Sequence, residues 1–412
     1  HATRNTQHAL SNPEPGTRNP ELGSRKGPIL FISHDASRSG APVVLLNLLR
    51  GLRERNEWGL RILLRAGGPL EPEFQKLGET FVCANPGPES RWFEDVSLVY
   101  SNTCTNGLFL RALAPGDIPV ITHVHEMQYA IDSFGADNFA EVRRHTRHFI
   151  ACSEAVNEVL RQRHQIPAEK ISVIRESIPV QFVTDGAGAR TVAEARQWCG
   201  LAEDDFVVAA CGRADWRKGP DLFVQLADIV RRRNGRARKV SFLWIGRLPA
   251  DEHGRILLHD LQQLGLSASV KFIGEQANPY PFLNACDVFC SCSREDPYPL
   301  VMLEAAALGK PVVCFEQSGG AEEFCARGGG FAVPYLDLKA MGRCLLRLLE
   351  DEKQRCRTGE AAAQLVNEEF SLRSSTPRIA QLIEKFSRPP RPKPQPAPPP
   401  TIGTRLKEWL RA

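Results

Sequence analysis

Short apolar runs, each bounded by turn residues, alternate with helically spaced segments along most of this chain, in two successive series. The first series holds PILFIS (28–33), LRILLRA (60–66), SLVYSN (97–102), VITHVH (120–125) and FIACS (149–153), with GAPVVLLNLLRGLRE (40–54) as its clearest helix. The second holds FVVAACG (206–212), VSFLWIG (240–246), VKFIG (270–274), VFCSCS (288–293) and VVCF (312–315), with DLFVQLADIVRRR (221–233) helical between them. Parallel strands need long crossovers, and a helical crossover covers a sheet face, so continuous apolar strands alternating with helices mean parallel sheets buried on both sides. The expected class is therefore α/β, with two Rossmann-like, doubly wound parallel sheets and ligand loops at the strand C-termini.

The 412 residues and 42% apolar content suffice for two cores. The first domain is expected over 28–190 and the second over 191–370, with a seam near 185–200 (DGAGARTVAEARQWCG). Residues 1–27 are polar and rich in Pro and Gly; they read as a disordered tail. FSLRSSTPRIAQLIEKF (370–386) reads as a closing helix, its part 371–386 crossing back to the first domain. Residues 387–412 combine a proline-rich linker with a short tail. A net charge of +4 from 52 basic and 48 acidic residues gives no reason to expect nucleic acid. No run reaches the length of a membrane span and no secretory signal is visible. Most of the twelve cysteines lie in apolar runs, as core residues of a protein in a reducing, cytoplasmic setting. Cys286, Cys290 and Cys292 read as a helix end and a strand face, since no second ligand pair follows at zinc spacing.

Four loops past strand ends carry candidate chemistry. In SHDASRSGAP (33–42), Gly40 opens a helix whose N-terminus favours an anion, although Ser-Gly there is also an ordinary cap. In CGRADWRKGPDL (211–222), Arg213 and Lys218 place two cations on one short loop, which suits a diphosphate; the plain alternative is a solvated loop. In SREDPYPLVMLEAAALGKPVVCF (293–315), prolines stiffen the loop from Asp296, and Leu300 and Val301 offer helix-start N–H groups. Glu304 follows one turn later among apolar neighbours and needs a partner such as a ribose diol. In ITHVHEMQ (121–128), His123 and His125 share one strand face, and either a structural or a ligand role fits.

Over residues 28–386 these motifs together resemble the retaining glycosyltransferases of the GT-B fold, most closely glycosyltransferase family 4. The resemblance rests on Gly212-Arg213 with Lys218-Gly219, on Asp296 eight positions before Glu304-Ala305, on Gly309-Lys310-Pro311-Val312-Val313, and on Gly319-Gly320 followed by Glu323. It implies two domains facing across a cleft. It implies that Arg213 and Lys218 neutralise a donor diphosphate, that Glu304 binds the nucleotide ribose, and that the Leu300 and Val301 amides bind phosphate. Asp296 and His125 would contact the transferred sugar, and Gly40 would let the first-domain loop close over the phosphate. The family usually has Glu where Asp296 stands, and Glu295 precedes it. The implied reaction is hexosyl transfer from a nucleoside diphosphate sugar to an acceptor hydroxyl with retention. The sugar nucleotide serves as co-substrate, and no metal or other cofactor is needed. The implied partners are a glycan or lipid-linked acceptor, with peripheral contact at the inner membrane face through RRHTRH (143–148) as a further option beside a plain solvated helix face. Competing readings are a GT-B nucleotide-sugar epimerase or hydrolase, and an inactive glycan- or nucleotide-binding protein.

Overall fold

The computed structural model describes residues 26–85, 91–93, 95–235 and 238–389. The expectations for residues 1–25 and 390–412 lie outside that set. The first sheet has seven strands: β1 (Lys26–Ser33), β2 (Trp58–Leu64), β3 (Glu79–Val82), β4 (Leu98–Ser101), β5 (Val120–Val124), β6 (Thr146–Ala151) and β7 (Ile171–Val173). Their order is β3-β2-β1-β4-β5-β6-β7. The second has six: β8 (Phe206–Cys211), β9 (Val240–Ile245), β10 (Val270–Phe272), β11 (Val288–Ser291), β12 (Val312–Phe315) and β13 (Gly330–Val333), ordered β10-β9-β8-β11-β12-β13. Every pairing is parallel. In each sheet the strand order reverses direction beside the first strand, at β1/β4 and β8/β11. Open α/β sheets bind ligands at the strand C-termini beside such a reversal.

Helices α1 (Gly40–Arg55), α2 (Glu71–Leu77), α3 (Gly107–Leu113), α4 (Gln128–Ser133), α5 (Ala136–His145) and α6 (Glu154–Glu158) belong to the first sheet. Between them, α1 and β1 show how the sequence sets the layer. Leu45, Leu49 and Leu52 recur at helical spacing and are buried with Ile29 and Phe31 of β1; each such burial contributes about 2 kcal/mol. Asn56, left-handed at φ 50°, ends α1 by donating its N–H to Leu52 and Arg53.

The second half contains α7 (Val180–Ala187), α8 (Val192–Trp198), α9 (Pro220–Arg233), α10 (Glu252–Gln263), α11 (Tyr280–Asn284), α12 (Leu300–Ala307), α13 (Gly320–Phe324), α14 (Leu338–Glu350), α15 (Glu352–Glu369) and α16 (Leu372–Phe386). The chain changes domain earlier than the expected seam at 185–200. Helices α7 and α8 already pack on α11, and α7 also packs on α12. The actual crossing is the stretch after β7, where the Ile178 N–H donates to Phe370 O at 2.9 Å and Ile178 bridges Ser371. Two crossing segments therefore run side by side. Helix α16 returns to the first domain, burying Ile379, Ala380 and Ile383 in the core behind α1. Strand β1 also starts two residues before the expected tail boundary, because Lys26 forms ion pairs with Glu57 and with Glu384 of α16.

All twelve cysteines are free. Cys290 and Cys292 lie 3.8 Å apart on one strand face and pack on Met341, as a core pair. Among the described residues no helix is long and apolar enough to cross a membrane.

Candidate active site

The loop after β8 is shaped by backbone constraints. Asp215 accepts the Lys218 N–H at 3.1 Å and holds a short turn. Gly219 then adopts φ 69°, and a Cβ there would stand 2.2 Å from Cys292 O. The turn thus lies directly on the strand-end chain 292–296, and only glycine fits. This close approach brings Lys218 Nζ into an ion pair with Asp296 Oδ2. Both groups are largely buried, with side chains 17% and 8% exposed. Lys218, Ser293, Pro299 and Val301 line one small hollow. Arg213, one residue past Gly212, is exposed and has no side-chain partner among the described residues.

The loop after β11 is anchored from the opposite side. Asp296 N–H donates to Ser318 O at 2.7 Å, and Gly320 N–H donates to Asp296 O and Pro297 O. Gly319 stands at φ 125°, where a Cβ would lie 1.9 Å from Asp296 O and 3.1 Å from Met127 Sδ of the first domain. Tyr298 is buried against Phe370. Helix α12 starts after Pro299 with no side-chain cap. Its Leu300 and Val301 N–H groups have no acceptor among the described residues, so two polarised donors point out of the helix start beside Lys218. Glu304 is buried one turn on, with only a 3.5 Å contact from Tyr280 Oη. Burial pushes its carboxyl up to about 7, against a small opposing pull from Tyr280.

Gly40 opens α1 without a side-chain cap, and a Cβ there would meet nothing within 4 Å. Its surroundings are therefore free for a ligand. His125 is placed differently from a simple sugar contact. Its Nδ1 is hydrogen-bonded to Glu176 Oε1 at 2.6 Å and its Nε2 to Asn102 Oδ1 at 3.1 Å. Burial alone would lower its pKa, but the Glu176 carboxylate more than offsets this and raises it. With both nitrogens engaged, the ring is fixed in the cleft wall and neither nitrogen is free for a sugar hydroxyl. Asn102 Nδ2 donates in turn to Ala41 O at 2.7 Å, which couples His125 to the Gly40 loop. The His123 ring lies tilted against His125, centroids 4.0 Å apart, and its Nδ1 meets Tyr100 Oη at 2.8 Å. His123, His125 and Glu176 are close enough to suggest an ion site. However, His125 and Glu176 stand at 2.6 Å, nearer than the roughly 3.3 Å separating two ligands on ~2.0 Å bonds to one zinc.

Sequence reasoning gave no role to two acids that span the cleft. Glu295 accepts from the Tyr129 and Ala130 N–H groups of α4, at 3.1 and 3.4 Å. Glu323 accepts from Glu154 N–H and from Arg175 Nε at 3.0 Å. Tyr129 and Trp216 add a ring contact at 5.0 Å across the same gap. The neighbouring acids thus divide their work: Asp296 faces Lys218 and Glu295 reaches the first domain. Adjacent residues on an extended loop point opposite ways, which was the only available signal.

Comparison with known proteins agrees with this architecture. Residues 38–182 match the family described as Glycosyltransferase Family 4, and residues 192–365 match Glycosyl transferases group 1. The lipopolysaccharide core biosynthesis glycosyltransferase LpsE of Rhizobium meliloti is 32% identical over 219 residues, 52% of this chain and 61% of that protein. A D-inositol 3-phosphate glycosyltransferase of Salinispora arenicola is 29% identical over 207 residues, 48% of this chain and 46% of its own length. The chain thus spans about half to three-fifths of these relatives. Anabaena HepE, solved in complex with UDP-glucose, superposes with a TM-score of 0.74 at 21% identity, covering 87% of this chain and all of that one. The two facing parallel-sheet domains define a GT-B fold. The chain belongs to the family-4-type glycosyltransferases.

Proposed function

We propose that this chain transfers a hexosyl unit from a nucleoside diphosphate sugar to an acceptor hydroxyl with retention at the anomeric carbon, in glycan, polysaccharide or glycolipid synthesis in the cytoplasm. The observation that carries this reading is the group at the end of β8: Arg213 with no side-chain partner, Lys218 on Asp296, and two α12 amides with no acceptor among the described residues. Departure of a nucleoside diphosphate builds negative charge, and fixed cations with helix N–H groups stabilise it most in a cleft that excludes water. Side chains supply this charge, so the reading needs no cofactor beyond the sugar nucleotide.

Lys218 is already neutralised by Asp296, so diphosphate binding exchanges one anion for another. Asp296 is then released to accept from sugar hydroxyls. Glu304, uncommitted and buried, accepts from the ribose diol. His125, whose pKa the Glu176 carboxylate raises, favours positive charge in the cleft wall. Anabaena HepE is described with UDP-glucose, and a Campylobacter jejuni relative, 28% identical over 158 residues, is named for a diphospho-undecaprenol-linked substrate. Both support a sugar-nucleotide donor and a glycan or lipid-linked acceptor here.

Peripheral membrane contact through Arg143, Arg144 and Arg147 belongs to the same proposal. These residues are exposed, and the first two line an open hollow with Lys170 at the N-terminal edge of β6. That edge lies about 20 Å from the cleft edge of the same strand. Anionic vesicles should retain the protein at low salt, and no retention there removes the membrane contact from the proposal.

The activity is tested by following nucleoside diphosphate release from a panel of sugar nucleotides, with and without glycan acceptors, and the anomeric configuration of the product by NMR. Acceptor-dependent release with a retained configuration is expected. Release without an acceptor would instead indicate a hydrolase, and an inverted product would refute retention.

A further inference from the structure

We propose that the free edge of the Arg65 guanidinium, with His34 beside it, is an anion clamp for the acceptor, binding a phosphate group that the acceptor carries. This rests on the glycosyl-transfer reading for the word acceptor, but the anion site itself stands on geometry. Arg65 follows β2, and its N–H donates to Ser33 O at the end of β1, at 3.0 Å. Ser33 pairs with Leu64, so His34 and Arg65 leave the sheet side by side. From β2 the Arg65 side chain passes the end of β1 to reach the loop after β4, where Nη1 donates to Thr105 O at 2.9 Å and Asn106 Oδ1 at 3.2 Å. It therefore lies over the reversal point of the first sheet, the place where open α/β sheets bind ligands.

The rest of the guanidinium has no hydrogen-bond partner among the described residues. Phe109 backs the cation, with Cζ 5.3 Å from its ring centre. Nε is buried and unbonded, and no acceptor is present for Nη2 among the described residues. No carboxylate forms an ion pair with Arg65 among the described residues. The Nε–Nη2 edge is the fork that binds an oxyanion through two parallel N–H bonds. A part-buried cation whose fork faces neither carboxylate nor carbonyl is costly unless something fills it. His34 Nδ1 is a second buried polar atom without a partner at the same place.

Two acids lie nearby, and both are occupied. Asp35 accepts from the Ser37 N–H and Oγ, and its Oδ1 lies 3.5 Å from His34 Nε2. Glu126 accepts from Thr103 Oγ1, Cys104 N–H and His125 N–H. Each carboxylate is thus partly neutralised by its own donors. The donor cradle at Arg213 and Lys218 lies on the other domain, so substitution of Lys218 distinguishes an anion held there from one held by Arg65.

The test uses the full chain and titration calorimetry with three probes: glucose 1-phosphate, farnesyl diphosphate in micelles, and neutral methyl glucoside. Each is titrated into the wild type, Arg65→Gln, Arg65→Lys and Lys218→Ala, with circular dichroism confirming the fold. A phosphate probe should bind the wild type and Lys218→Ala, and bind Arg65→Gln at least about tenfold more weakly. Arg65→Lys keeps the charge and loses the fork, so it should fall between them. Methyl glucoside should not distinguish wild type from Arg65→Gln. Equal phosphate-probe affinity in wild type and Arg65→Gln overturns the clamp, as does a loss confined to Lys218→Ala. If Arg65→Gln does not fold, Arg65→Lys decides by the same criterion. Tighter binding of farnesyl diphosphate assigns a lipid-linked source, and tighter binding of glucose 1-phosphate a soluble one. The readout needs no transfer, so absence of glycosyl transfer with Arg65-dependent binding sinks only the activity, and transfer without Arg65 dependence sinks only the clamp.

Discussion

Lys218→Ala separates chemistry from stability at a single position. Lys218 stabilises the leaving diphosphate in the proposed reaction and pairs with Asp296 in the structure. Loss of one charge-stabilising donor in a transition state costs on the order of 10²-fold or more in turnover. The same change strands a carboxylate that is 8% exposed. Breaking a fully buried pair costs about 3–5 kcal/mol, and the 17% exposure of Lys218 reduces this toward about 1–3 kcal/mol. Thermal unfolding should therefore drop by several degrees, at roughly 2–4 °C per kcal/mol. Adding Asp296→Asn removes the stranded charge. The double variant should recover most of the stability and none of the turnover. Turnover is read as nucleoside diphosphate release, and stability by calorimetry. Turnover within threefold of wild type in a folded Lys218→Ala protein would refute the diphosphate role. A stability loss that Asp296→Asn fails to relieve would refute the pairing argument.

Three further outcomes follow from the same geometry. Glu304, raised to about 7 by burial, binds its proton more tightly in the folded state than unfolded, so stability should fall as pH rises from about 4.5 to 7; Glu304→Gln should abolish that fall, on the order of 3 kcal/mol by chemical denaturation, and nucleotide affinity of the wild type should rise over pH 6–8. Gly40→Trp should fold normally, because nothing stands within 4 Å of its Cβ position, and should block donor transfer while nucleotide binding to the second domain persists; a large loss of nucleotide affinity in calorimetry would contradict the assignment. Glu295→Ala removes the acceptor for the α4 amides across the cleft and should enlarge the radius of gyration of the ligand-free protein in small-angle scattering, with nucleoside diphosphate partly restoring the compact value.

The sequence showed the sheets clearly because parallel strands buried on both faces leave uninterrupted apolar runs such as FVVAACG and VITHVH. The turns after β8 and β12 were equally readable: Gly219 and Gly319 are where backbones approach within a Cβ's reach, and motif spacing records that. The domain crossing was harder to place. The segment VTDGAGA has the composition of a linker, yet Val183 and Ala187 are buried against the second domain. His125 was found by its strand alternation, but its raised pKa depends on Glu176, 51 positions away. Glu295 and Arg65 were invisible for a related reason. What defines them is a partner, or a missing partner, contributed by a different strand end.

The most direct measurement is calorimetric binding of nucleoside diphosphates and their sugars, with UDP as the first probe, to the wild type and to Arg213→Ala, Lys218→Ala and Glu304→Gln. The account predicts one site in the wild type, with affinity reduced at least tenfold in each variant, and a stability gain of about 2.7 kcal/mol at a hundred times the dissociation constant. Absence of binding by every nucleoside diphosphate and sugar nucleotide tried at millimolar concentration, or binding indifferent to all three substitutions, would contradict the account.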